Sequence, residues 1–240
     1  PFPFAECSFF KKYYSVDTLV YDLPLILSAK AAQRIIVPFN ITKRDLVRLG
    51  FNKTKIRVIH PGTDTKRFKP HPAIIKSKYK RRHHIILSLI KDPQYEGLDV
   101  LLQAFSRLIK SIPAKLWIGS TVRRDIVLKY MKKYNVPIDK VRYLGFIKDS
   151  ELPLIYNKAS VFVMLQRAGF SLSILEAMAC GTPTIATRTE DILEIIKNNE
   201  AILVNPLDVE EIYQRLESLL LNKRQMRELS IKGRQLAEMY

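Results

Sequence analysis

The chain has 240 residues, 47% of them hydrophobic, and a net charge of +17, with 40 Lys and Arg against 23 Asp and Glu. That length suffices for one large or two smaller domains with an ample core, and no apolar run reaches the ~18 residues that a membrane span needs. The charge points to an anionic partner, be it a membrane surface, nucleic acid or a phosphorylated substrate.

No secretory leader is read at the N-terminus, and a start at Pro1 leads us to expect chain upstream. Cys7 and Cys180, the two cysteines, lie far apart and read as free thiols of a reducing, cytoplasmic setting. Phe2, Phe4, Phe9 and Phe10 are expected to expose apolar surface and to favour self-association. Residues 34–37 (RIIV) predict a strand, residues 42–49 a short helix and residues 56–59 (IRVI) a second strand, closed by the turn His60-Pro61-Gly62.

Between residues 61 and 82 the charges are Lys66, Arg67, Lys69, Lys76, Lys78, Lys80, Arg81 and Arg82 against Asp64 alone. A solvated basic linker over residues 63–82 and a patch facing anionic phospholipid are both open. The chain carries no aromatic-rich Gly-Phe strand motif, zinc knuckle or Gly-x-x-Gly clamp, so no specific nucleic acid partner is expected. His60, His71, His83 and His84 lack cysteines or carboxylates at ligand spacing, and no metal is expected.

From residue 85 onward short apolar runs alternate with amphipathic segments: 85–90, 115–119, 141–146, 160–165, 183–187 and 201–204. Leu98, Leu101, Leu102, Phe105, Leu108, Ile109 and Ile112 recur at helical spacing between the first two runs. Asp208 and Glu211 open a later helix with Ile212, Leu216, Leu219 and Leu220 on one face, and residues 222–240 form a last helix. Continuous apolar strands alternating with helices imply an α/β, doubly wound parallel sheet of six strands covered on both faces, with ligands at the carboxyl ends of its strands.

Residues 168–183 (AGFSLSILEAMACGTP) are the most informative block. A Gly-Phe-Ser turn runs into a small-residue helix over 171–180, stopped by Gly181 and Pro183. Such a turn presents unpaired N–H groups and the positive end of a helix dipole, which suits a phosphate. Ser173 and Glu176 also fit a capping box, in which Glu176 would only satisfy a backbone N–H.

The block resembles the donor-site signature of the group 1 glycosyltransferases, retaining sugar-nucleotide enzymes of the GT-B fold. The family usually reads Glu-Gly-Phe-Gly-Leu-Pro-x-Leu-Glu-Ala-Met-Ala-Cys-Gly-x-Pro; here the second glutamate is Glu176 and the first position is Ala168. The stretch Ile-Arg-Val-Ile-His-Pro-Gly-Thr-Asp, followed by Arg67-Phe68-Lys69-Pro70, looks like the family's hinge between two Rossmann domains. The resemblance covers about residues 30–235. It implies a remnant of the acceptor domain over 1–62, the linker over 63–82, a nucleotide-sugar domain over 83–221 and the terminal helix over 222–240. The acceptor domain's glycine-rich loop and histidine are not in this sequence, so a separate or missing acceptor-domain chain is expected.

Carried over position by position, the resemblance implies a donor site. Lys91 takes the place of a diphosphate-binding arginine, keeping charge but losing the bidentate fork. Glu96 takes the place of a lysine and reverses the charge, unless it points away as a helix N-terminal acid. The backbone of Gly169, Phe170, Ser171 and Leu172 would hold the β-phosphate, Glu176 the ribose hydroxyls, and Gly145-Phe146 would approach the base. Glu190 and Asp191 replace two glycines and are expected to bring acids near the pocket; Glu194 fits the pattern. The implied activity is transfer of a sugar from a nucleoside diphosphate donor, with retention and without a metal or other cofactor, to a glycan, lipid or protein. Ala168, Glu96 and the Glu190-Asp191 pair favour an alternative, a degenerate domain binding nucleotides or partners without catalysis. A basic α/β module acting on nucleic acid or a membrane surface is a third reading, and a GT-B epimerase lacks its expected histidines and acids.

Overall fold

The computed structural model describes residues 27–78 and 81–240. Cys7 and the four phenylalanines expected to mediate self-association lie outside the described residues. Contacts divide the chain between Pro61 and Gly62. In the first unit, strand β1 (Ile35–Val37), helix α1 (Asn40–Arg48) and strand β2 (Ile56–Val58) form a minimal crossover. The strands pair in parallel, Ile35 opposite Ile56, as a helical connection requires. Val37, Phe51 and Ile56 form its small core.

The second unit opens with helix α2 (Pro72–Lys78) and continues through β3 (His84–Ile90), α3 (Leu98–Leu108), β4 (Ala114–Ser120), α4 (Arg124–Lys133) and β5 (Val141–Gly145). It proceeds through α5 (Leu152–Lys158), β6 (Val161–Met164), α6 (Leu172–Ala179), β7 (Thr184–Thr187), α7 (Glu190–Ile195), β8 (Ile202–Val204), α8 (Val209–Leu221) and α9 (Lys223–Met239). The six strands β3 to β8 make one sheet in the order β5-β4-β3-β6-β7-β8, every pair parallel. Chain order reverses between β3 and β6, the switch point at which doubly wound sheets open a crevice.

The expected fold class is therefore present, and the cause is visible strand by strand. Ile86, Leu87, Val161, Phe162 and Val163 are fully buried, as the central strands of a two-sided sheet must be. On one face Leu101, Phe105 and Leu108 of α3 join Leu216 and Leu219 of α8 over Ile86, Leu116 and Val163. On the other face Phe162 meets Tyr156 of α5 edge-on, ring centroids 5.5 Å apart. The Asp208 carboxylate caps α8 by accepting from Glu211 N at 2.9 Å, and Glu211 returns to Asn205 N at 2.8 Å. Helix α9 lies on α6 through Gly233, where an added Cβ would stand 3.2 Å from Met178 Cγ.

Of the two readings open for residues 63–82, the solvated linker does not hold over the described part, which is docked. Phe68 is buried, and the Arg234 guanidinium donates to the carbonyls of Phe68 and Ala179, both at 2.7 Å. His71 N donates to Asn157 Oδ1 at 2.7 Å, and Lys78 Nζ donates to the Ala159 carbonyl at 3.0 Å. Burial, with help from Arg81, lowers the Lys78 ammonium to about 8. Apolar anchors within a basic run explain the difference: charge alone does not keep a segment in solvent when its stems and a phenylalanine can pack.

Candidate functional site

A cleft of about 490 Å³ opens at the carboxyl ends of β3, β4 and β5, with the start of α6 as its opposite wall. Lys91 follows β3, Ser120 and Thr121 end β4, and Phe146, Ile147 and Asp149 follow β5. Phe170, Ser171, Leu172, Ser173 and Glu176 come from α6 and the turn before it. The fold thus brings Lys91, Phe146, Phe170, Ser171, Leu172 and Glu176 together among the residues singled out from sequence. Glu96, Gly145 and Gly169 do not line the cleft.

Glu176 is held by a side chain twenty positions away. The Tyr156 hydroxyl donates to Glu176 Oε2 at 2.8 Å, and Tyr156 is itself fully buried between Phe162 and Phe68. The capping box, the alternative reading of Glu176, does not form: α6 begins at Leu172, Ser171 holds the N-cap without a side-chain cap bond, and Ser173 lies inside the helix. Its start two residues earlier than that box requires leaves the Glu176 carboxylate for Tyr156 and the cleft. Burial raises the Glu176 carboxyl above the ordinary range, with a smaller push from Asp149, while Tyr156, Arg67 and Lys91 pull it back. Burial, then the neighbouring carboxylate, pushes the Tyr156 phenol well above its usual value, so it remains a donor.

Glu96 takes neither role expected of it. Its carboxylate turns onto its own loop and accepts from the backbone N–H groups of Lys91 and, at 3.1 Å, Asp92. Asp92 Oδ1 in turn accepts from Gln94 N and Tyr95 N at 2.9 and 3.0 Å, so carboxylates close the whole turn. Gly97 then enters α3 at φ +67°, where a Cβ would stand 2.7 Å from the Leu165 carbonyl oxygen. Glycine is required there by both conformation and space.

The turn before α6 is tied by donors instead. Tyr95 Oη donates to the Ala168 carbonyl at 2.5 Å, while Gln166 Nε2 and, at 3.1 Å, Thr189 Oγ1 donate to the Gly169 carbonyl. Gly169 sits at φ +74° and acts as the bend that aims the chain into α6. Of the acids expected near the pocket, Glu190 and Asp191 occupy the first turn of α7 behind Thr189, whose hydroxyl accepts from Ile192 N at 3.4 Å, and the Asp191 carboxylate accepts from the Gly169 N–H of the turn before α6. Neither lines the cleft. Burial raises the Asp191 carboxyl, and the Gly169 N–H partly offsets this.

Ser120, Thr121, Ile147, Asp149 and Tyr156 were not found from sequence. The first four follow strand ends, where the fold class alone says ligands bind, and that rule would have marked them. Ser120 donates to the Ile90 carbonyl at 2.6 Å and accepts from Val122 N at 2.9 Å, fastening two strand ends under the cleft. Tyr156 carries no local signal. Among the described residues no group of His, Cys, Asp and Glu could hold a metal ion.

The class of fold is a GT-B-type α/β domain with a crevice at its switch point, and known proteins share it. The crystal structure of Anabaena Alr3699/HepE in complex with UDP-glucose superposes with a TM-score of 0.81 at 16% identity, over 95% of this chain and 65% of that one. A sucrose-phosphate synthase from Thermosynechococcus elongatus gives 0.78 at 22% identity, over 95% and 62%. The family model described as Glycosyl transferases group 1 matches residues 82–222. The MMP alpha-(1->4)-mannosyltransferase of Mycolicibacterium hassiacum is 30% identical over 228 residues, which is 89% of this chain and 49% of that protein. The Mannosylfructose-phosphate synthase of Agrobacterium fabrum is 29% identical over 178 residues, 68% of this chain and 39% of that protein. The chain belongs to the group 1 glycosyl transferases. It spans half or less of the length of these two curated relatives.

Proposed function

We propose that this chain is the donor-side part of a glycosyltransferase, binding a nucleoside diphosphate sugar in the cleft and transferring the sugar with retention. The observation that carries it is the Glu176 carboxylate of α6, held by buried Tyr156 of α5 in the cleft that Lys91 also lines. The carboxylate would accept the two ribose hydroxyls. The diphosphate would lie against the amide end of α6, and Lys91 would meet its charge. Charge develops on the departing diphosphate, so fixed dipoles and a cation placed there favour the transition state over the bound donor. Phe146, exposed beside the cleft, offers a face for the base.

The first unit supplies what we assign to the end of the acceptor side, and the acceptor would be a glycan, lipid or protein. Ala168 offers no side-chain oxygen to a donor sugar. A charged hydrogen bond of that kind is worth about 1.5–3 kcal/mol, so turnover should lie about tenfold to a hundredfold below that of an Ala168→Glu variant.

Calorimetric titration with UDP and GDP tests the reading. Binding of either, weakened about tenfold by Glu176→Ala, is the expected result. Absence of binding by the unmodified chain, not recovered in Ala168→Glu plus Glu96→Gln, would overturn it.

A further inference from the structure

The second concavity worth attention lies away from the cleft. It has a volume of about 470 Å³ along the β4–β5 edge of the sheet, reaching the amino ends of the strands. His83 precedes β3, Lys115 and Trp117 belong to β4, and Arg142 to β5; Arg124 of α4 and the turn residues Ile138 and Asp139 complete it. Trp117 and Arg142 are paired in register, and Lys115, two residues away, shares their face of the sheet. The Arg142 guanidinium lies 5.1 Å from the centre of the Trp117 ring.

Two features separate this groove from ordinary charged surface. Among the described residues no carboxylate pairs with Lys115, Arg124 or Arg142. The nearby acids are engaged elsewhere, Asp125 with Arg123 at 3.0 Å and Asp139 with Lys140 at 3.6 Å. Like charges gathered at a concave wall repel one another unless an anion enters. At the rim Ile138 follows Pro137 and is 64% exposed, an apolar tip beside the cations.

We propose that this edge docks on an anionic phospholipid bilayer, the cations meeting headgroup phosphates and Ile138 entering the boundary below them. The pairing of a protruding aliphatic side chain with unpartnered cations is what a bilayer rewards, since apolar burial and surface potential add. Single-stranded nucleic acid would call for exposed aromatic faces, whereas the aromatic rings at this groove are Trp117, which is buried, and Tyr143, half-buried with its hydroxyl donating to the Val122 carbonyl at 2.5 Å. The donor cleft lies at the other end of the strands, so a docked molecule keeps it open.

The full chain is mixed with vesicles of 70% phosphatidylcholine and 30% phosphatidylserine, or of phosphatidylcholine alone, and sedimented at 0.05 and 0.5 M NaCl. Binding to the anionic vesicles, lost in neutral ones and at high salt, is expected. Lys115→Glu with Arg142→Glu should weaken it at least about twentyfold, since one cation near such a surface is worth about fivefold. Lys110→Glu with Lys232→Glu makes the same change in net charge on other exposed surface and should cost far less. Ile138→Asp should weaken binding severalfold at 0.05 M NaCl, and the melting temperature of each variant shows that it folds. Trp117 is the chain's single tryptophan, so its fluorescence should respond to the anionic vesicles and not to neutral ones. Equal losses in the two double variants would mean that overall charge, not this groove, does the binding. That result, no binding by the unmodified chain, or tighter binding of a single-stranded oligonucleotide than of vesicles would each overturn the proposal.

Discussion

Two glutamates belong to the two segments that flank the cleft, the loop after β3 and α6, and their fates differ. Glu96, after β3, turns its carboxylate onto the amides of Lys91 and Asp92 and closes its own loop. Glu176, in α6, is gripped from behind by Tyr156 and keeps its carboxylate at the cleft wall. The loop after β3 thus covers its N–H groups with acids, while the turn before α6 gives its Gly169 N–H to Asp191 and covers its carbonyls with Tyr95, Gln166 and Thr189. An acid at a ligand site is defined less by its sequence position than by which backbone groups its loop leaves unsatisfied. One side of the cleft has used its anion-binding amides internally; the other leads into the start of a helix whose N-cap side chain makes no cap bond.

The residue where the two sides meet offers the largest test. Gly97 closes the first loop and lies against Leu165 at the start of the second. Gly97→Ala adds a Cβ at 2.7 Å from a backbone carbonyl oxygen in a left-handed conformation, two penalties with no flexible side chain to yield. We expect a loss of about 3 kcal/mol or more in chemical denaturation, with nucleotide binding impaired as both loops shift. A change under about 1 kcal/mol would mean that the two loops move independently.

Tyr156→Phe tests the grip on Glu176 and should act more mildly. It keeps the ring between Phe162 and Phe68 and removes one donor from a partly buried carboxylate, a cost of about 1–3 kcal/mol. The pH dependence has a definite sign. Burial holds the Glu176 carboxyl above its ordinary range and the Tyr156 hydroxyl pulls it back, so losing the hydroxyl raises it further. Nucleotide affinity, which needs the ionised form, should fall on acidification, and in the variant the fall should begin at higher pH. Titrations across pH 5 to 8 separate this from a packing role, which would change stability and leave the profile in place.

How much of this was legible follows from the kind of information each feature needs. The six strands came within a residue or two of their observed limits, because a buried parallel strand is written as an unbroken apolar run, as in residues 85–90. The bend at Gly169 and the stop at Gly181, both at positive φ, were legible because few other residues adopt that conformation. The partner of Glu176 was not, since Tyr156 reaches it only once α5 and α6 are packed side by side. Nor was the docking of residues 62–78, where composition shows charge and hides the burial of Phe68 and Lys78. The inward turn of Glu96 joins residues four and five positions apart, yet any loop acid could do the same, so spacing alone did not select it.

The smallest effect expected is the most informative about the comparison. Glu96→Gln keeps an oxygen for the amides of Lys91 and Asp92 and removes only the charge, so the loop should stay closed and stability should change little. With Lys91 beside it and a diphosphate brought near, the missing negative charge should tighten UDP or GDP by about fivefold at low salt, the scale of a unit charge at a few ångströms in a wet cleft. Salt near 0.5 M should erase most of the gain. If Glu96→Gln instead weakens the nucleotide, the closed loop itself is the binding surface. The amides held by Glu96 are then part of the site's architecture rather than lost to it, and the two sides of the cleft would be working alike.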